Sequence, residues 1–377
     1  MKVAMSPAIR NGSNVLWTLC NNSISLIFHA STRVVTAPKS DGAGPGTLSN
    51  LQSEKVPVNL KNKRVLVFGG AGFIGSHLAE RLVQEGASVT VYDNLKTGRT
   101  ANLAKVWQNP AFRFIEADIC QRNKVEETVP GHEIVFHFCD DSDIRSAAEH
   151  PDTYVEQNIM GLFYVLEAMR RNGIRHLLFP SSTTVFGELT RPPASEFHGP
   201  LIPLNLYGGA KLAAEGLISG WAHTYDFQAI VFRFVGIIGG RMDHGVVHDF
   251  VRKLQKDPTH LEILGDGTQR RSFVLVDDCV DAMLFALTKA AKNYSLVHIG
   301  NVDQISVNET AEAIFQVMKL KGVKRQHAGG KVGWKGDVTS NFIATETLTA
   351  WGWKPRRSSR DAVREAAGRL ASEGRGT

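Results

Sequence analysis

The sequence predicts an α/β fold: a doubly wound parallel sheet, with a smaller C-terminal α/β lobe over the strand ends. Three observations predict it. Short apolar runs alternate with segments of helical period from Lys61 to Phe234. The first apolar run ends in glycines at Gly69, Gly72 and Gly75. Past Gly239 the alternation loosens into helices with fewer strands between them.

Val65 to Phe68 is a short apolar run suited to a buried parallel strand. After the glycines, His77 to Glu85 carries helical spacing, with Leu78, Leu82 and Val83 on one face and Gly86 as its stop. Strand, glycine turn and helix bring backbone N–H groups around Gly72, Phe73, Ile74 and Gly75 onto a pyrophosphate. A side chain on Gly69 or Gly72 would hold the phosphates away, and one on Gly75 would push the helix off the strand. The second strand, Ser88 to Tyr92, ends at Asp93, placed to accept hydrogen bonds from an adenosine ribose. That acid favours NAD over NADP, because a 2′-phosphate would meet its charge. A turn with no ligand is the alternative.

A third strand, Phe112 to Glu116, leads to Asp118 and Ile119, and a short helix covers Lys124 to Val129. Strand Glu133 to Phe138, helix Thr153 to Arg171 and strand His176 to Pro180 follow, the last running into Ser181-Ser182-Thr183-Thr184. Helix Leu206 to His223 and strand Gln228 to Phe234 complete a Rossmann-type unit, with its ligand expected at the carboxyl ends of the strands. Beyond Gly239 the spacing predicts helices at Val246–Gln255, Val280–Ala291, Val307–Leu320, Glu346–Trp351 and Ser359–Leu370. Strands are expected at Glu262–Leu264 and Ser295–Ile299. The chain therefore divides into an extension over 1–60, a dinucleotide-binding domain over 61–238, a substrate lobe mainly over 239–370 with segments returning to the first domain, and a tail over 371–377.

The net charge of +6 sits in the two ends. Residues 1–40 hold four Lys/Arg and no acid, residues 355–377 carry +3, and the body between them is near neutral at −1. A nucleic-acid-binding body is not indicated. The extension is Ser- and Asn-rich and aperiodic. It reads as disordered or as a start placed upstream, with organellar targeting left open. Cys20, Cys120, Cys139 and Cys279 have no paired spacing, which suits a reducing, cytoplasmic setting without disulfides or zinc. No apolar run reaches the length of a membrane span.

A second constellation follows. Tyr207 and Lys211 stand at i and i+4, on one helix face. A neighbouring ammonium favours the phenolate, so Tyr207 could act as a general base. Ser182, at a strand end, could hydrogen-bond the same substrate oxygen. The bland alternative is an ordinary helix surface.

With these residues in order, the chain resembles the extended short-chain dehydrogenase/reductase family, in its NAD-dependent sugar epimerase/dehydratase branch. The motifs are the glycine turn, Asp93-Asn94-Leu95, Asp118-Ile119, the Ser182 cluster and Tyr207-x-x-x-Lys211. The resemblance implies NAD as cofactor, held by the turn, Asp93, Asn94, Asp118, Ile119, Phe138, Cys139, Asn158, Tyr207 and Lys211, with Asn158 supporting the active-site backbone. It implies Ser182, Tyr207 and Lys211 as the catalytic set, and Arg271 as a contact to a nucleotide diphosphate. Related dehydratases and decarboxylases carry acids where this chain has Thr183 and Thr184, and neither threonine can ionise. The expectation is therefore inversion at C4 of a nucleotide sugar, a UDP-hexose or UDP-hexuronate, through a 4-keto intermediate, with Thr183 and Thr184 facing the sugar. A net sugar or alcohol oxidoreductase is the first alternative, and a non-catalytic NAD sensor the second.

Several positions depart from the family. Asp140 puts a carboxylate near the cofactor, unfavourable unless it points away. Gly236 and Trp334 stand where Asn and Arg often meet the substrate. Arg241 and His244 begin a segment expected to enter the substrate lobe, there to replace lost diphosphate contacts or bind a sugar carboxylate, with a solvated helix start as the alternative. His244 and His248 have a spacing that can bind metal, but no third ligand is visible, so no metal is expected. Asp277-Asp278 reads as a helix N-cap pair, and Cys139 as a packing residue. The apolar surface of the two long helices, Thr153–Arg171 and Leu206–His223, implies a homodimer by the same resemblance, or simple cover for the sheet.

Overall fold

The structure, a computed structural model, describes residues 59–140, 151–290 and 292–373. The extension, up to residue 58 and including Cys20, and the last four residues of the tail lie outside the described residues. Strands β1 (Arg64–Phe68), β2 (Ser88–Asp93), β3 (Phe112–Glu116), β4 (Ile134–His137), β5 (His176–Ser182) and β6 (Gln228–Phe234) form one parallel sheet with β11 (Tyr294–Ile299). Their order is β11-β6-β5-β4-β1-β2-β3. The chain moves outward from β1 to β3, then returns to β4 on the other side of β1. The crevice created by that reversal opens at the carboxyl ends of β1 and β4, where Phe68 pairs with His137.

All-parallel strands need cover on both faces. Helices α1 (Phe73–Gln84) and α7 (Val276–Lys289) cover one face, through a core that includes Val65, Val67, Leu78, Leu82, Phe136 and Met283. Helices α2 (Arg122–Thr128), α4 (Gly161–Arg171) and α5 (Leu206–Tyr225) cover the other, around Leu66, Phe68, Leu162, Leu166 and Ile218. Each strand's alternating side chains feed both cores.

The single helix expected over Thr153–Arg171 has three parts. The first turn, α3 (Pro151–Thr153), widens into a π-helical stretch over Tyr154–Met160 before α4 begins. Such widening commonly marks a functional site, and this one brings Tyr154 against Ala210 and Tyr207 of α5.

The remaining elements are β7 (Gly236–Ile238), α6 (Val246–Lys256), β8 (His260–Ile263), β9 (Arg270–Arg271), β10 (Phe273–Leu275), β12 (Ile305–Ser306), α8 (Val307–Met318), β13 (Lys324–His327), α9 (Glu346–Trp351) and α10 (Ser359–Glu373). A third core joins α6, α8 and α10 through Val247, Phe250, Ile314, Val363 and Leu370.

Two details correct the expected boundaries. Helix α10 runs on to Glu373, through residues assigned to the tail. Helix α7 starts at Val276, so Asp277 and Asp278 lie in its first turn rather than at its N-cap, which is Leu275. Acids there complement the helix dipole. Asp278 accepts from Arg356 N at 3.1 Å and Arg357 Nη1 at 3.0 Å, and Asp277 from Arg369 at 2.6 Å.

Candidate active site

The glycine turn sits at the mouth of the crevice. Gly69 has φ +71°, and a Cβ there would lie 2.6 Å from the Phe138 carbonyl carbon and 2.7 Å from Cys139 N. Its first requirement is therefore the backbone leaving β4, a constraint the sequence did not reveal. At Gly75 a Cβ would press on Gly70 Cα at 2.8 Å, and closer still on Gly69 O, so strand and helix meet there through backbone alone. Gly72 differs: a Cβ there meets only Gly69 O, at 3.3 Å. The protein leaves that side open, and no side chain caps the α1 N-terminus. The outward N–H groups of Phe73, Ile74 and Gly75 remain for an anion. This open cradle fits a dinucleotide pyrophosphate.

Asp93 is 5% exposed, and its carboxylate accepts from Ala71 N at 2.9 Å and Leu95 N at 2.8 Å. Burial raises its pKa, against those backbone bonds. It therefore braces the turn as well as standing where a ribose would lie. Asn94 donates to Asp118 at 2.7 Å, and Asp118 also accepts from Cys120 N at 2.8 Å. Burial pushes the Asp118 carboxyl up, but these bonds outweigh it and its pKa is lowered. Ile119 is buried, and its side chain fills the space opposite Gly161 at the start of α4. The Cys139 thiol is pushed well up by burial, then by Asp93 and Asp140, which makes it a packing group rather than a nucleophile.

Ser182, Tyr207 and Lys211 come together from β5 and α5. Ser182 ends its strand, caps a 3₁₀ turn over Thr183–Phe186 through Thr184 N at 3.2 Å, and faces the Tyr207 phenol. Asn205 caps α5 by accepting from Gly208 N at 2.8 Å, which fixes the turn carrying Tyr207. One turn further on, Lys211 is 3% exposed and donates to Pro180 O at 2.6 Å. Its ammonium lies 4.7 Å from the Phe179 ring centre and 5.6 Å from that of Tyr207. A further turn along the same face, Glu215 accepts from Arg233 at 2.9 and 2.7 Å and from Ser181 at 2.6 Å, all buried. This pair ties α5 to β5 and β6. Its only sequence signal was the repeat of four linking Tyr207, Lys211 and Glu215.

One expectation changes at this point. Lys211 was expected to draw Tyr207 toward the phenolate, but Asp140 holds the ammonium at 2.6 Å. Burial, then the Asp140 charge, hold the Tyr207 phenol well above its ordinary pKa, with Ser182 acting the other way. Asp140 resolves its unfavourable position by pairing with Lys211. Asn158 is buried in the π-helical stretch.

The residues expected on the substrate side divide. Thr183 is buried, and Thr184 Oγ1 is buried without a partner among the described residues. Arg271 lies close to the segment after Trp334, donating to Asp337 at 2.8 Å and to Val338 O at 2.9 Å. Gly236 is required locally, because a Cβ would stand 2.9 Å from the Phe273 ring that packs over it. Arg241 does not join the site. Its guanidinium binds Glu80 and, at 3.1 Å, Ser76 on α1, an ion pair that satisfies a carboxylate 8% exposed. His244 is exposed and turned onto Asp243 at 2.6 Å, and His248 meets Asp249 at 3.2 Å. Among the described residues no three His, Cys, Asp or Glu side chains gather as metal ligands.

Comparison with known proteins agrees with this arrangement. A family model described as "NAD dependent epimerase/dehydratase family" matches residues 65–300. A UDP-glucose 4-epimerase of Streptomyces lividans is 30% identical over 80% of this chain and 94% of its own length. A UDP-N-acetyl-alpha-D-glucosaminuronate decarboxylase of Bacillus cytotoxicus is 33% identical over 68% of this chain and 80% of its own. The crystal structure of the Thermus thermophilus UDP-glucose 4-epimerase in complex with NAD superposes with a TM-score of 0.73, at 28% identity over 83% of this chain and 99% of that one. Glycine cradle, crevice and family match converge: this chain belongs to the NAD-dependent epimerase/dehydratase family.

Proposed function

We propose that the protein is an NAD-dependent nucleotide-sugar epimerase that inverts C4 of a UDP-hexose or UDP-hexuronate through a transient 4-keto sugar. The observation that carries this reading is the joining of Ser182, Tyr207 and Lys211 beside the open glycine cradle, with only threonines at 183 and 184. The decarboxylase relative performs a different reaction, and the chain offers no carboxylate at those two positions for C5 chemistry.

When bound, NAD supplies the acceptor and then the donor for the C4 hydrogen. The chain's residues do the rest. Tyr207 takes the proton of the C4 hydroxyl and later gives one back. Ser182 donates to the same oxygen and fixes it beside the phenol. Lys211 would hold the cofactor's ribose hydroxyls and, as far as its pairing with Asp140 allows, stabilise the phenolate. The amides of the turn with Asp93, Asn94 and Asp118 would hold the remainder of the cofactor over residues 61–238. Residues 239–370 would mainly cover the substrate, with Arg271 as the contact to its diphosphate. While that end is anchored, the flat 4-keto sugar turns over and presents its other face.

The pairing surface supports a homodimer. A groove of about 550 Å³ along α5 and the π-helical stretch is lined by Ile159, Ala213, Leu217 and Trp221. Gly216 and Gly220 leave open space there, and Val155 and Met160 are exposed beside it. A second copy would cover this apolar surface. Among the described residues no helix is long and apolar enough to cross a membrane, and the unpaired Cys120, Cys139 and Cys279 suit a cytoplasmic setting.

The test is to purify the protein, identify its bound cofactor by mass, and follow a panel of UDP-, GDP- and dTDP-sugars by NMR. Inversion at C4 with the cofactor retained supports the reading. Release of NADH in step with product would instead make it an oxidoreductase.

A further inference from the structure

We propose that Asp140 is a positioning residue, the counter-ion of Lys211, which withholds the ammonium from Tyr207 and makes this site work at higher pH than the Ser182–Tyr207–Lys211 set alone would. The inference rests on the reading of Tyr207 as proton acceptor.

The geometry is specific. An ammonium has three N–H donors. Lys211 spends one on Pro180 O at 2.6 Å and one on Asp140 Oδ2 at 2.6 Å. The Lys211 and Asp140 side chains are 4% and 18% exposed, so solvent screens the pair only weakly. One donor is left for everything else the ammonium must hold.

The other groups around Tyr207 do not replace this charge. Ser182 faces it from β5, Tyr154 from the π-helical stretch, and Lys211 from its own helix. His137 of β4 lies near Lys211, but burial, then the Lys211 charge, hold its pKa at about 3, so it stays neutral. The Cys139 thiol also stays neutral, because burial raises its pKa. Among the described residues Asp140 and Lys211 are therefore the formal charges that bear on Tyr207, and they oppose each other. Burial raises the Tyr207 phenol most, and the Asp140 carboxylate is the next cause.

With the carboxylate removed, Lys211 acts on Tyr207 uncompensated across the 5.6 Å to its ring centre. An uncompensated charge at that range in a partly buried site moves a phenol by roughly 1–2 pH units. The same removal takes a negative charge from the neighbourhood of a dinucleotide and frees a second Lys211 donor. NAD should therefore be held more tightly.

The experiment compares wild type, Asp140→Asn, Asp140→Ala and Asp140→Glu. Tyr207 ionisation is read as ultraviolet phenolate absorbance, taken as the difference from the matching variant that also carries Tyr207→Phe. NAD affinity is read by quenching of protein fluorescence, and the pH profile of kcat is recorded alongside. Asp140→Asn and Asp140→Ala are expected to move Tyr207 ionisation and the rising limb of kcat down by roughly 1–2 pH units, and to tighten NAD binding. Asp140→Glu keeps the charge and should titrate like wild type. The proposal is overturned if both neutral variants titrate like wild type, or if Asp140→Glu shifts as far as they do. The phenolate and NAD readouts stand without turnover. A protein that binds NAD but turns over no nucleotide sugar would therefore defeat the proposed function and leave this inference to be decided by the titration.

Discussion

Replacing Gly72 and Gly75 by alanine, one at a time, separates the turn's two duties. At Gly75 the added methyl meets backbone on both sides, Gly70 Cα at 2.8 Å and Gly69 O closer still. Neither atom belongs to a side chain that can rotate away. Either β1 and α1 must part by about 1 Å or the turn must deform, since ordinary carbon contacts lie near 3.5–4 Å. Helix α1 is held by Leu78, Ala79 and Leu82, all fully buried, so parting it loosens a packed core. Overpacking of this kind costs about 2–3 kcal/mol, a drop in Tm on the order of 3–5 °C for a domain of this size. At Gly72 the methyl meets one carbonyl at 3.3 Å, which can yield by a few tenths of an ångström. That variant should keep its Tm within about 2 °C, since a cost of less than ~0.5 kcal/mol moves it little. It should still lose roughly 10- to 100-fold in NAD affinity, the scale of one or two charge-assisted hydrogen bonds to phosphate. Thermal unfolding of the cofactor-free protein, with NAD titration followed by fluorescence, reads both effects. A Gly75→Ala protein as stable as wild type, or a Gly72→Ala protein that binds NAD normally, would refute the assignment of packing to one glycine and phosphate to the other.

Three further outcomes follow from the same geometry. Tyr207→Phe should lower kcat by about 10²–10⁴-fold, the range for removing a general acid–base group, while NAD still binds; activity within a few-fold of wild type would remove Tyr207 from the reaction. Burial holds His137 at about 3 and His298 at about 4, both below the unfolded value. Between about pH 6.5 and 4 the unfolded chain therefore binds more protons, and stability falls with falling pH by up to ~1.4 kcal/mol per unit for each histidine. Urea midpoints at pH 7 and pH 5 check this, and equal midpoints would contradict it. Gly216→Arg, which places a long cation in the apolar groove on α5, should convert a dimer to a monomer on light scattering; a dimer unchanged at micromolar concentration would move the pairing surface elsewhere.

The parts of the molecule legible in the sequence are those written locally. Three glycines at fixed spacing after an apolar run announce a strand, a turn and a helix, and Tyr207 and Lys211 share a helix face by their spacing alone. The unread parts are contacts between residues far apart in the chain. Asp140 pairs with Lys211 across 71 positions and Arg241 with Glu80 across 161, and no pattern in the sequence links either couple. Arg241 was therefore expected in the substrate lobe, where its segment leads, and it turned instead to the nearest buried carboxylate. Gly236 looked like a lost substrate contact, and the Phe273 ring above it adds a local need for glycine that the sequence did not show. The π-helical stretch was invisible because the side chains of Tyr154–Met160 also suit a regular helix, and its contact with α5 joins residues far apart in the chain. Strand β11 illustrates the same limit, since its apolar run fixed a strand but not the neighbour, β6, that it would join.

In the proposed reaction the C4 hydrogen leaves and returns within one enzyme-bound cycle. The most direct measurement incubates the purified protein with UDP-glucose or UDP-glucuronate carrying deuterium at C4, and follows the sugars by NMR and the cofactor by its reduced absorbance. The expected result is the C4-inverted sugar with its deuterium retained at C4 and no build-up of reduced cofactor. Loss of the deuterium from the sugar, or reduced cofactor accumulating in step with an oxidised sugar, would contradict it.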